Sequence, residues 1–298
     1  MSEKSGNFDL KELHGVLLEI LCEFDRICRE HGLKYSLAWG TMLGAVRHGG
    51  FIPWDDDVDV IMERSDYDRF CELCKTELKE GFFFQTKESD KNYWYNVGRL
   101  RKNNTAMIYE DWKNAGFHLG LYIDIQPLDH IADNRFKRAV QYFFIILNTP
   151  VRMSRNPILF RAVGSRYGKA LKAALWLFSK IIPKNAADRI ETHFIKKYNG
   201  KPTRCEQVIC DGGVLINTPS DMLPFPVKWY GDFYDIEFEG KKFMCSGHTD
   251  ELLTLWYGDY MKLPPENQRV MTHFPLVFDT KRDYTEYLKS FKEKEENK

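Results

Sequence analysis

Leu10, Leu13, Leu17, Leu21 and Phe24 recur at helical spacing among polar residues, which predicts an amphipathic helix over 9–31. Asp9 stands where an N-cap belongs, Glu12 lies three positions on, and Gly32 ends the run. Lys34 to Ala38 then reads as a strand. A second helical run spans Ser65 to Glu80, with Ser65 as its cap and Asp68 in its first turn. Phe82 to Thr86 and Tyr122 to Ile125 are strand-like. Helices alternating with short strands predict an α/β (α+β) fold built on a small mixed sheet flanked by helices. No internal repeat interrupts the pattern, and Lys292 to Lys298 reads as a solvated tail.

One stretch breaks the ordinary alternation. Trp54-Asp55-Asp56-Asp57-Val58-Asp59-Val60-Ile61 sets four carboxylates within five residues and then returns to apolar β-formers. Read as a strand from Asp57, it puts Asp57 and Asp59 on one face, roughly 6–7 Å apart. Two carboxylates so placed repel each other unless a cation lies between them. All-oxygen ligands suit Mg²⁺ or Mn²⁺, and such an ion would polarise a phosphate. The plainer alternative is a solvated acidic turn in which Asp55 or Asp56 caps a neighbour.

The residues just before it favour the metal. Leu37 to His48 runs from a β-like segment into a helical one through Gly40 and Thr41. Gly40 has no Cβ to hold a ligand away, Thr41 offers a hydroxyl, and the free N–H groups of a helix start attract an anion. Arg47 and His48 follow within two turns and can add charge. A phosphate cradle leading into a carboxylate pair describes a nucleotidyltransferase-type site.

The whole stretch from Tyr35 to Ile61, YSLAWGTMLGAVRHGGFIPWDDDVDVI, resembles the signature of the LicD family. Arg99 to Thr105, Gly120 to Asp129 and Tyr257 to Pro265 extend the likeness to most of the chain outside 134–204. That family includes bacterial phosphocholine transferases, is similar to fukutin-related proteins, and resembles nucleotidyltransferase folds. The resemblance implies transfer of a phospho-alcohol, with phosphocholine the first expectation, from a CDP-linked donor to a glycan hydroxyl, releasing CMP. The acceptor would be a cell-surface glycan or its lipid-linked precursor. Gly40, Thr41, Gly44, Arg47 and His48 would cradle the donor. Folds of this type draw a third acid from a neighbouring strand, and the resemblance picks out Asp124. Asp57, Asp59 and Asp124 would then hold Mg²⁺ or Mn²⁺ and carry catalysis. An ionised Asp124 between Ile123 and Ile125 would also be costly without a partner. Two other readings stay open here: a true nucleotidyltransferase moving NMP to a small alcohol, and a non-catalytic glycan- or membrane-binding protein.

Other positions carry weaker expectations. Arg99 and Arg101 alternate on one strand face, suited to clamping a diphosphate. Trp54 and Tyr35 suit either a base stack or the core. Arg269 and His273 follow the Pro264-Pro265 turn and can return to the site. Asp129, after Pro127-Leu128, reads as a turn residue. His193 and His248 suggest no role.

Composition bounds the picture without changing it. The 298 residues carry zero formal net charge and 43% hydrophobic residues, as an ordinary globular protein does. A polar start and no long apolar run predict a cytoplasmic protein. Seven scattered cysteines fit reduced thiols; Cys71-Glu72-Leu73-Cys74, with Cys205 and Cys210, is poorly spaced for zinc.

Charge does divide the chain. Residues 135–204 hold 16 Lys/Arg against 2 acids. Interleaved Phe143, Phe144, Leu159, Phe160, Trp176, Phe178, Ile181 and Ile182 make this a basic, mainly helical insertion. The expected division is a catalytic core over 1–133 and 205–298 with the insertion at 134–204. The insertion suits peripheral contact with an anionic membrane surface or an acidic glycan. No nucleic-acid motif accompanies the charge.

Overall fold

Asp9 and the leucine stripe after it behave as the pattern requires. In the computed structural model, which describes residues 9–154, 177, 181, 183–209, 223–271 and 273–296, helix α1 spans Leu10–Glu30. The Asp9 carboxylate accepts the N–H groups of Lys11 and Glu12 at 3.0 and 3.3 Å, satisfying donors that the helix leaves open. Leu13, Leu17, Ile20, Leu21, Phe24 and Ile27 are buried along one face. Gly32, at φ +67°, turns the chain out of the helix.

The chain then gives strand β1 (Ser36–Leu37), helix α2 (Trp39–His48), strand β2 (Asp59–Glu63) and helix α3 (Arg64–Leu73). Strands β3 (Phe82–Gln85), β4 (Gly98–Lys102), β5 (Ala106–Ile108) and β6 (Tyr122–His130) follow. The main sheet runs β1-β2-β6-β4-β3, with β2 and β6 parallel and the other pairs in that row antiparallel. Val60, Ile61 and Met62 of β2 and Ile123, Ile125 and Leu128 of β6 are buried. Near-continuous apolar runs are what strands covered on both faces need.

Three local expectations change. Strand β2 begins at Asp59, so Asp57 lies in the loop before it. Helix α3 starts at Arg64, with Glu63 at the cap position and Asp66 in the first turn, and ends at Leu73. Helix α1 draws the next residues out of helical geometry: Glu23 accepts the Lys79 N–H at 3.0 Å and Arg26 donates to the Glu77 carbonyl at 2.7 Å. Asp129 is a strand residue, fully buried in β6. Arg64 holds it bidentately at 2.9 and 2.6 Å, and Asn199 adds a bond at 2.6 Å.

The basic insertion supplies helix α4 (Arg135–Ser154) and helix α5 (Lys184–Lys196). They pack together around Ile131, Ile145, Ile195 and Ile209, with Phe144 stacked on Phe194 at 4.1 Å. Phe136 and Phe143 instead face outward, 78% and 57% exposed. Leu159, Phe160, Trp176, Phe178 and Ile182 lie outside the described residues. No helix among the described residues is long and apolar enough to cross a membrane.

Strand β7 (Cys205–Gln207) pairs with the far end of β6, and β8 (Phe225–Pro226) pairs with β7. Strands β9 (Tyr234–Phe238) and β10 (Lys241–Cys245) form a hairpin, followed by helix α6 (Thr249–Tyr257). Strand β11 (Val277–Asp279) pairs with β5. The C-terminal helix α7 (Tyr284–Glu296) extends through most of the expected tail. Tyr284, Tyr287, Leu288 and Phe291 anchor it on a second core of Tyr93, Ala106, Ile108, Phe117 and Leu119.

Candidate functional site

The parallel pairing of β2 with β6 builds the site. Its register sets Asp59 directly beside Asp124. Both are half-buried between apolar neighbours, so both point to the same side of the sheet. Asp57 stands two residues before Asp59, and the Asp124 N–H donates to the Val58 carbonyl at 2.9 Å, tying the loop to β6. Helix α1 pins the same loop from behind. The His14 ring meets the Asp55 carbonyl at 2.8 Å and stacks on Phe51 at 4.0 Å.

These carboxylates are short of positive charge. Burial, with Asp57 and Asp124 adding repulsion, pushes the Asp59 carboxyl well above its ordinary value. Burial and then Asp56 push Asp57 up to about 6. Burial and then Asp57 push Asp55 up to about 8. The Gln126 amide donates to Asp59 at 3.0 Å, and Arg99 Nε donates to Asp124 at 2.7 Å. His273 meets Asp56 at 3.3 Å and Asp57 at 3.7 Å. The bond to Asp56 raises its ring pKa. Asp56, Asp57 and His273 bring ligand atoms within 4.8 Å of one another, the spacing of a metal site. Repelling carboxylates plus one imidazole are a donor set that fits a divalent cation.

Helix α2 supplies the opposite kind of ligand. Ala38, at its cap position, makes no side-chain cap bond, and the Asp55 carboxylate lies against Gly40 in its first turn. Thr41 spends its hydroxyl oxygen on the Asp59 N–H at 2.9 Å, so it positions the carboxylate strand. The two glycines serve packing. A Cβ on Gly40 would meet an Asp55 carboxylate oxygen at 2.5 Å, and one on Gly44 would meet the Gly50 carbonyl oxygen at 2.4 Å. Arg47 is half-buried and His48 exposed at the far end of α2.

The arginines of the expected diphosphate clamp, Arg99 and Arg101, are enclosed by their surroundings. Both side chains do share a face, over the Tyr122 ring at 4.2 and 4.6 Å. Arg101 is fully buried and donates to Gln85 and to the Gly120 carbonyl. Arg99 lies among the rings of Tyr93, Tyr95, Trp112 and Tyr122, with its charge committed to Asp124. Asp124 therefore does have the partner its burial demands, and that partner is a guanidinium. Tyr35 belongs to the core, its hydroxyl donating to Asp25 at 2.6 Å. Burial pushes the Cys71 thiol up to about 12 and Cys74 upward also, opposite to what zinc ligation needs. Cys210 lies outside the described residues.

Comparison with known proteins decides the family. Residues 32–141 match the nucleotidyltransferase domain of the LicD/FKTN/FKRP family. The chain is 31% identical over 276 residues to the lipopolysaccharide cholinephosphotransferase LicD of Haemophilus influenzae, covering 90% of this chain and 97% of that protein. The chain belongs to the LicD family. Ribitol 5-phosphate transferase FKRP of Mus musculus and of Homo sapiens each align over 96 residues at 30% identity, covering 27% of this chain and 19% of theirs. The chain is thus a LicD-like phosphotransferase, with a mixed sheet flanked by helices as its nucleotidyltransferase-like core.

The family-domain match, residues 32–141, includes Gly40 through Asp124 and ends far short of His273. The sequence offered only the Pro264-Pro265 turn as a sign that His273 comes back to the acidic loop. Asp56 was equally hard to pick out. Its backbone position hides that its carboxylate, 2% exposed, accepts the His273 N–H at 3.1 Å.

Proposed function

We propose that this LicD-family protein transfers a phospho-alcohol, phosphocholine first among the alternatives, from a CDP-linked donor to a glycan hydroxyl. The observation that supports the reading is the Asp59–Asp124 register, which sets those two carboxylates side by side, with Asp57 near enough to add repulsion. Asp57, Asp59 and Asp124 would hold Mg²⁺ or Mn²⁺; Asp57 also shares a group of close ligand atoms with Asp56 and His273, whose ring meets it at 3.7 Å. When bound, the ion draws charge from the donor's phosphate oxygens and so lowers the barrier to attack.

The chain's own groups do the rest by position. The start of α2, whose cap position is an alanine, favours negative charge nearby. Arg99 fixes Asp124 by one oxygen, and the other either helps bind the metal or takes the acceptor hydroxyl's proton. The acceptor oxygen forms a bond to the phosphorus that carries the alcohol, and the bond from that phosphorus to the bridging oxygen breaks. CMP leaves with the bridging oxygen and its electron pair. Phosphoryl-type transfer asks mainly for such alignment and charge neutralisation.

Incubation with Mg²⁺, CDP-choline and a lipopolysaccharide acceptor tests this, with CDP-ribitol in a parallel arm. The expected result is CMP release matched by phospho-alcohol on the acceptor in one arm. A product carrying the nucleotide, or no CMP in either arm with Mg²⁺ or Mn²⁺, defeats the reading.

A further inference from the structure

Two arginines next to the acidic loop have no carboxylate of their own. Arg47, on the last turn of α2, donates from Nη1 to the Tyr260 carbonyl at 2.9 Å, and its buried Nε has no hydrogen-bond partner among the described residues. Arg269 donates from Nε to the Pro264 carbonyl at 2.8 Å. Its guanidinium stands 5.9 Å above the Trp54 ring. His48 meets the same ring edge-on at 6.4 Å. Among the described residues, no ion pair engages either arginine. Burial lowers the pKa of Arg47, and the charge of Arg269 lowers it further, against an opposing effect of Tyr257. Like charges held together by main-chain carbonyls, with no acid between them, are stabilised by an incoming anion.

Their place in the fold says which anion. Trp54 is the residue before Asp55, and His273, four residues after Arg269, bonds to Asp56. Arg269 and Trp54 therefore lie on the same two segments, 269–273 and 54–59, that carry His273 and Asp55 to Asp59. An anion seated on Arg269 over Trp54 would adjoin the segments that carry these carboxylates.

We propose that Arg47 and Arg269, assisted by His48, are the seat for the diphosphate of the nucleotide-linked donor, with Trp54 holding the Arg269 guanidinium flat. This deepens the donor reading and rests on it for the identity of the nucleotide. It moves the diphosphate contact from the enclosed Arg99 and Arg101 to a half-buried pair brought together from residues 222 positions apart. A guanidinium offers two parallel N–H bonds to phosphate oxygens and keeps its charge at any working pH. As the bridging oxygen departs with its electrons, negative charge grows on the CMP phosphate, and the same two groups stabilise it.

The test is calorimetric binding of CDP and of cytidine, in Mg²⁺, to the full chain and to Arg269→Ala, Arg269→Lys and Arg47→Gln. Loss of one charge-assisted bidentate contact is expected to weaken CDP roughly 10- to 100-fold in Arg269→Ala. Lysine should restore only part of this, because it lacks the fork. Cytidine affinity should not move, and the donor KM should rise by the same factor with the acceptor KM unchanged. Arg47→Gln should repeat the pattern in case Arg269→Ala disturbs the loop. Unaltered CDP affinity in both the Arg269→Ala and Arg47→Gln variants, or no CDP binding by the unmodified protein, overturns the seat. Arginine-dependent CDP binding in a protein that transfers no phospho-alcohol supports the seat and counts against the transfer reaction instead.

Discussion

Asp59→Asn is expected to cut turnover roughly 10³-fold, the counterpart of about 4 kcal/mol of barrier, without unfolding the protein. The substitution keeps the oxygen that accepts from the Gln126 amide. It also keeps the main-chain bond from the Asp59 N–H to Thr41. What it removes is one charge from a group crowded by Asp57 and Asp124. The metal-free variant should therefore melt no lower than the unmodified protein, because burying that charge is unfavourable. Steady-state release of CMP and a thermal melt in EDTA check the two halves separately. Near-normal turnover would remove Asp59 from the reaction. Lost turnover with a collapsed melting temperature would make its role structural.

The largest stability effect is expected at the Arg64–Asp129 pair. Asp129 is fully buried, and the Arg64 side chain is only 10% exposed. Arg64→Met leaves the Asp129 carboxylate with Asn199 as its remaining side-chain partner. An uncompensated buried charge costs about 3–5 kcal/mol. In a chain of this size that lowers the melting temperature by on the order of 10 °C. The double variant Arg64→Met, Asp129→Leu should recover much of the loss, since the pair's Coulomb gain largely offsets its desolvation. Calorimetric melting of both proteins gives the comparison. A single variant as stable as the parent would contradict this account of the pair. Because the pair joins the start of α3 to the far end of β6, well past Asp124, turnover below the melting point should change little.

Local signals carried much of this architecture. The Asp9 cap, the leucine stripe and Gly32 define α1 within one residue at each end, because each acts through neighbours in sequence. The Tyr35–Ile61 signature marks the turn into α2 and the acidic loop. What the sequence could not convey was pairing across distance. Arg99 and Arg101 alternate as expected, yet Asp124, 25 positions on, decides what Arg99 does, and the Gly120 carbonyl and Gln85 decide the fate of Arg101. Gly40 and Gly44 look like room for a ligand until Asp55 and Gly50 are seen to fill that room. Asp129 follows a proline, which normally argues for a turn, but a buried guanidinium keeps it in the strand. His273 reaches Asp56 across 217 positions, a separation that periodicity cannot bridge.

Titration of the metal-free protein with Mn²⁺, following the paramagnetic signal of the free ion, measures the central idea most directly. The signal should fall as the unmodified protein takes up the ion and should stay near the protein-free value with Asp57→Asn. Uptake that is equal in both proteins, or absent from the unmodified one, would contradict a cation held by these carboxylates.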